Sequence, residues 1–285
     1  MRAGLIERGL RRAMNVVGYR SRHLDTSIGP MHVIDREGGG ALPPVVVVHG
    51  LGSSAVHFVP LLRRLAPHAQ RVVAIDLPGH GFSTRLDALD QDVLRAGVLE
   101  ALDQLELPPA IVVGNSLGGA ATVRYTSQRP DRVLGTVLLA PAGAPMTPEE
   151  LQALRDTFAI RTHAEAVAFL HRLLARPPGW TKHVVAVGVR RTFSDPVLQS
   201  WLSELKGHDF LTPEEVRGVP PTLLVWGDHE RILPGSALAF WQAHLPEHAR
   251  IVRDDAVGHS PHLDAVDRAA SYVLDHARAL AQSSP

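Results

Sequence analysis

The stretch Ile111-Val112-Val113-Gly114-Asn115-Ser116-Leu117-Gly118-Gly119 decides the fold. Its first three residues are β-branched and read as a strand. Residues 117–129 read as a helix. Between them lies a turn too tight for large neighbours. Gly114 and Gly118 let the backbone bend and keep side chains off the adjacent elements. A serine at the apex stands above the strand's end. The amide of Leu117, at the helix N-terminus, faces any negative charge that forms there. The Gly-x-Ser-x-Gly pattern alone arises by chance in roughly one chain in ten of this composition, so its meaning depends on what surrounds it.

Working outward, short apolar runs alternate with helical patterns. The runs are Val45–Val48, Val72–Ile75, Val133–Leu139, Thr222–Trp226 and Ile251–Val252. They are nearly unbroken, as strands covered on both faces should be. Residues 91–105 place Leu94, Val98, Leu102 and Leu105 on one helical face. Residues 236–245 and 264–281 repeat that period. The alternation predicts an α/β fold, a mostly parallel sheet with helices on both faces.

One interval departs from this rhythm. Residues 146–211 carry helical patterns and no strand. Thr147-Pro148-Glu149-Glu150, Asp195-Pro196 and Thr212-Pro213-Glu214 are helix starts, with a capping side chain, a proline in the first turn and, in two of them, acids on the dipole. The expected layout is a core of residues 1–145 and 213–285, with an N-terminal helix over 1–20. A helical cap over 146–212 would be inserted between two strands, over the sheet edge where ligands bind.

Composition narrows the function. The 285 residues carry 29 Lys plus Arg against 29 Asp plus Glu, so no global field draws the chain to nucleic acid. There is no cysteine, which excludes thiol catalysis, Cys-ligated zinc and disulfides. No run reaches the ~20 apolar residues of a membrane helix. The charged N-terminus is not a secretory signal, and a cytoplasmic location is expected. Ile6, Leu10, Met14 and Val17 lie at helical spacing beside Arg2, Arg8, Arg11 and Arg12. A weak membrane-surface contact is one reading; docking on the domain itself is the other. Sixteen histidines invite a metal, but no ligand spacing such as H-E-x-x-H occurs, and no metal or cofactor is expected.

Three further loops follow strands. His49-Gly50-Leu51-Gly52 can offer the Leu51 amide, which with that of Leu117 makes a two-donor oxyanion hole. Trp226-Gly227-Asp228-His229-Glu230 brings two carboxylates to the sheet's edge. Gly258-His259-Ser260-Pro261-His262 brings an imidazole. The order is serine, acid, histidine. Asp76-Leu77-Pro78-Gly79-His80-Gly81 reads instead as a structural turn, with His80 not catalytic.

With these motifs in this order over residues 22–281, the sequence resembles the α/β-hydrolase family. Its helical cap looks most like those of carboxylesterases and monoacylglycerol-lipase-like enzymes. The resemblance implies that Ser116 is the nucleophile, His259 its base and Glu230 the acid. The family usually has Asp at the position of Glu230, and Asp228 is the competing carboxylate. The expected activity is hydrolysis of small carboxylic esters of short to medium acyl chains through an acyl-enzyme. It should fall as pH drops through the ordinary histidine range near ~6.5. The alternatives are a carbon–carbon hydrolase of vinylogous diketones and a non-catalytic binding protein on the same fold. Relatives of the former usually have Trp after the catalytic histidine, where this chain has Ser260. Phe158, Phe169, Leu170, Trp180 and Trp201 of the cap could line an acyl pocket, but as large apolar side chains each reads first as cap core.

Overall fold

The computed structural model describes Gly9 and residues 18–283. The helix expected over the first residues therefore lies outside the described residues, and by Arg20 the chain is already in a strand.

Eight strands form one sheet: β1 (Arg20–Thr26), β2 (Gly29–Glu37), β3 (Val45–Val48), β4 (Arg71–Ile75), β5 (Ala110–Asn115), β6 (Val133–Leu139), β7 (Thr222–Gly227) and β8 (Arg250–Asp254). Their order is β1-β2-β4-β3-β5-β6-β7-β8. β1, β2 and β4 pair antiparallel, and β4 through β8 pair parallel. Every residue of β3 is buried. Val46 and Val48 face one apolar core while Val45 and Val47 face another. Two covered faces explain why the run shows no alternation.

β1 and β2 form a hairpin absent from the sequence reading. Their pattern is broken by polar residues that nonetheless lie inside, His32 and Asp35. Each is satisfied from far away: His32 by Asp76 at 2.7 Å and Ser21 at 2.8 Å, and Asp35 by Arg71 and Arg22. A strand that buries paired polar groups carries no apolar period to read.

The helices of the layers are α1 (Val59–Leu65), α2 (Gln91–Asp103) and α3 (Leu117–Gln128). Between β6 and β7 come α4 (Pro148–Phe158), α5 (His163–Leu173), α6 (Lys182–Phe193), α7 (Pro196–Glu204) and α8 (Pro213–Arg217). The chain closes with α9 (Gly235–His244), α10 (Pro261–Asp264) and α11 (Val266–Ser283). The starts behave as the sequence reading requires. Thr147 and Thr212 form capping boxes with Glu150 and Glu215, and Asp195 accepts from the Val197 amide. Each cap stabilises its helix by about 1 kcal/mol. Thr162 and Glu165 add a further box at α5. Inside the insertion the rings of Phe158, Phe169 and Phe193 pack at 5.1–5.5 Å between centroids, continuous with the core under the sheet.

Among the described residues no helix is long and apolar enough to cross a membrane.

Candidate active site

Ser116 follows β5 directly and precedes α3. Its φ of 52° is unusual for a residue with a side chain, a conformation that costs about 1–2 kcal/mol. The surrounding backbone fixes it. Its amide donates to the Leu139 carbonyl at 3.2 Å, and its carbonyl accepts from Gly119 at 2.8 Å and Ala142 at 2.9 Å. The turn fits only because Gly118 lacks a side chain: a Cβ there would sit 2.1 Å from the Val48 carbonyl oxygen. The loop after β3 is equally close, since a Cβ on Gly50 would lie 3.0 Å from that of Ser116. Leu51 and Leu117 therefore flank the serine, and the amides of both find no acceptor among the described residues.

The loop after β8 brings in His259, almost fully buried. Asn115 ties it to the serine turn: its side-chain amide donates to the carbonyls of His259 and Leu139, both at 2.9 Å. His259 Nδ1 shares a 2.6 Å hydrogen bond with Oε2 of Glu230, whose side chain is 3% exposed. The other oxygen, Oε1, accepts the amides of Ile232 at 2.7 Å and Leu233 at 3.0 Å. Burial by itself pushes the Glu230 carboxyl up, but the charge and hydrogen bond of His259 and these amides outweigh it. The carboxyl is held below its usual range. Asp228, with its side chain 41% exposed, turns outward to Arg253, whose Nε lies 2.8 Å away. Of the two carboxylates on this loop, only Glu230 meets the imidazole.

Residues 43–266 match the profile of the alpha/beta hydrolase fold. This chain belongs to the α/β-hydrolase family. It is 30% identical over 253 residues to a pimeloyl-[acyl-carrier protein] methyl ester esterase of Xanthomonas oryzae pv. oryzae, covering 84% of this chain and 95% of the other. It is 28% identical over 246 residues to the dihydrolipoyllysine-residue acetyltransferase component of an acetoin cleaving system from Pseudomonas putida, and that match covers 83% of this chain but only 64% of the relative's length. The solved carboxylesterase CesB from Bacillus subtilis superposes with a TM-score of 0.76 at 18% identity, over 95% of this chain and 97% of that one.

In this α/β-hydrolase other buried polar groups near the site find their partners, or none, within the fold. Asp76 is fully buried and accepts from Ala55 N at 2.6 Å, Phe82 N at 2.9 Å and His32. It thereby ties the segments after β3 and β4 to strand β2. His80 is buried, its Nδ1 bonded to the Pro78 carbonyl at 2.8 Å. Burial drives its pKa down to about 3, so the ring is neutral. His262 stacks on Phe58 with centroids 3.7 Å apart, and neither ring nitrogen has a partner. It packs as an apolar ring would.

A cleft of about 600 Å³, counting its solvent-open mouth, lies beside Ser116, Leu51 and Leu117. Phe158 and Trp201 line it, together with Met146, Leu154 and Leu205, while also belonging to the apolar core. Phe169 and Leu170 pack in the core instead, and Trp180 stands in solvent. Three polar residues at this cavity had no sequence signal, Gln91, Arg124 and Asp209. Arg124 is buried on α3 and donates to Gln91 Oε1 at 3.0 Å and to the Asp209 carbonyl at 2.6 Å. Its partners come from segments distant in sequence, which no local pattern reveals.

Proposed function

We propose that this α/β-hydrolase is a serine carboxylesterase acting on esters of short to medium acyl chains. The observation that supports it most is the 2.6 Å bond between His259 and Glu230, on a loop pinned to the serine turn by Asn115. Esterases among the relatives support hydrolase activity independently.

In this reading Ser116 Oγ attacks the ester carbonyl carbon and its proton passes to His259 Nε2. The carbonyl oxygen becomes an oxyanion, held by the amides of Leu51 and Leu117. Its collapse breaks the bond to the alkoxy oxygen, which leaves as the alcohol with the proton from His259. The acyl group is then on Ser116. Water repeats the sequence and releases the acid. Glu230 holds the imidazole in the tautomer with hydrogen on Nδ1 and stabilises its charged form. Residues 146–212 act as a cap over the core of 1–145 and 213–285, and Phe158, Trp201 and Leu205 bound the acyl chain.

Nitrophenyl esters of increasing acyl length test the reading. Hydrolysis should peak at short to medium chains and vanish in Ser116→Ala. A rate that is highest on long emulsified chains would contradict the chain-length part. Hydrolysis equal in the two proteins would contradict the serine mechanism.

A further inference from the structure

Six large apolar side chains stand exposed among the described residues, and four of them belong to one short stretch: Trp180, Val184, Val185 and Val187. The stretch is the turn into α6 and its first half. Val184 and Val187, three apart within α6, share one face, and Trp180 lies in the turn that leads into it. Trp180 is 78% exposed. The opposite side of α6 is anchored, with Ala186 and Phe193 buried. Folding against the chain's own core therefore leaves the valine face uncovered.

The charge around that face is one-sided. Between Glu165 and Asp195 the sequence has Arg172, Arg176, Lys182, Arg190 and Arg191 and no carboxylate, in a chain that is balanced overall. None of the five makes an ion pair with a described residue. The two flanking acids are occupied at helix starts, Glu165 on the amides of Arg161 and Thr162 and Asp195 on that of Val197. Asp264, from another element, accepts the Ala175 amide and feels the charge of Arg176 without forming an ion pair with it. A tryptophan and valines in a stretch rich in cations without ion-pair partners match the make-up of a helix that lies in an anionic lipid surface, rings and methyls in the acyl boundary and guanidinium groups on the headgroups.

We infer that the α6 face is a docking surface for an anionic phospholipid bilayer. Charge complementarity selects this occupant over a second copy of the chain, whose identical basic patch would repel it. At the far end of α6 the ring of Phe193 closes on Gly52, the chain neighbour of the cavity residue Leu51: a Cβ on Gly52 would lie 2.5 Å from the ring. Docking does not rest on the ester chemistry proposed above and is read without turnover.

The test is vesicle flotation of the full chain, with phosphatidylcholine alone and with an equimolar mixture of phosphatidylcholine and phosphatidylglycerol. The other three tryptophans are buried, so an emission shift on mixing reports Trp180. Expected are partition to the anionic vesicles only, weakening with salt, and a blue shift. Trp180→Ala with Val184→Ser and Val187→Ser should bind at least about tenfold more weakly. Arg190→Glu with Arg191→Glu should lose the anionic preference. All variants should hydrolyse a small soluble ester like the parent. No partition by the parent, equal partition to both vesicle types, or binding that survives both sets of substitutions would overturn the inference. So would self-association abolished by the valine substitutions, which would assign the face to a second copy.

Discussion

The Asn115 side chain donates to the carbonyl oxygen of His259 at 2.9 Å, joining residues 144 positions apart. One amide thus sets the height of the histidine loop above the serine turn, because its second acceptor is Leu139 of the neighbouring strand. Asn115→Ala leaves two buried carbonyls without this donor, a cost of about 1–3 kcal/mol. The expected outcome is a kcat lowered roughly tenfold to a hundredfold with KM little changed, since positioning rather than binding is lost. Steady-state kinetics and thermal unfolding check this. An unaltered kcat in a less stable protein would reduce Asn115 to a structural brace.

The two carboxylates after β7 make a sharper comparison. Glu230→Gln keeps the shape but removes the charge that favours the imidazolium, and turnover should fall by about 10²–10⁴. Asp228→Asn breaks only an exposed pair with Arg253 and should change turnover less than about twofold. Parallel measurements of kcat on one ester decide between them. The larger loss on Asp228 would reverse the assignment.

Acid stability follows from Asp76. Burial by itself raises its pKa, yet the hydrogen bond from His32, the charges of His32 and His49 and the Phe82 amide together lower it. A carboxyl depressed in the folded state stabilises the fold above its unfolded value of ~3.9. That contribution is lost as pH falls through the folded value. Stability should therefore decline below about pH 4. Asp76→Asn should be less stable at neutral pH by about 3 kcal/mol and show a shallower acid decline. Urea unfolding at several pH values measures both. A variant with the parent's pH slope would remove Asp76 from the account.

Chain-length preference is set in this account by Trp201, which is buried beside the cavity and whose indole nitrogen has no partner. Trp201→Leu removes ring volume without orphaning a hydrogen bond. The optimum in a nitrophenyl ester series should move to longer acyl chains, with a stability loss of about 2–4 kcal/mol. An unmoved optimum would place the acyl chain elsewhere.

The parts of the molecule legible in the sequence are those whose physics is local. β3 through β7 announce themselves as apolar runs because both their faces are covered, and Gly118 marks a turn because no side chain fits against Val48. The start of α4 is spelled out by Thr147 and Glu150. β1 and β2 were illegible because His32 and Asp35 are buried by pairing with residues 44 and 36 positions away. Arg124 and Gln91 reach the cavity through the same kind of distant pairing. Trp180 departs for the opposite reason: an aromatic residue beside helical patterns reads as core, but it lies in the turn before α6 and stands 78% exposed.

The central claim is that one hydroxyl, on Ser116, is made nucleophilic by His259. Labelling with a fluorophosphonate followed by peptide mass analysis tests it most directly. The adduct should form on Ser116, be absent in Ser116→Ala and form far more slowly in His259→Ala. Undiminished labelling of Ser116→Ala, or an adduct on another serine, would contradict it.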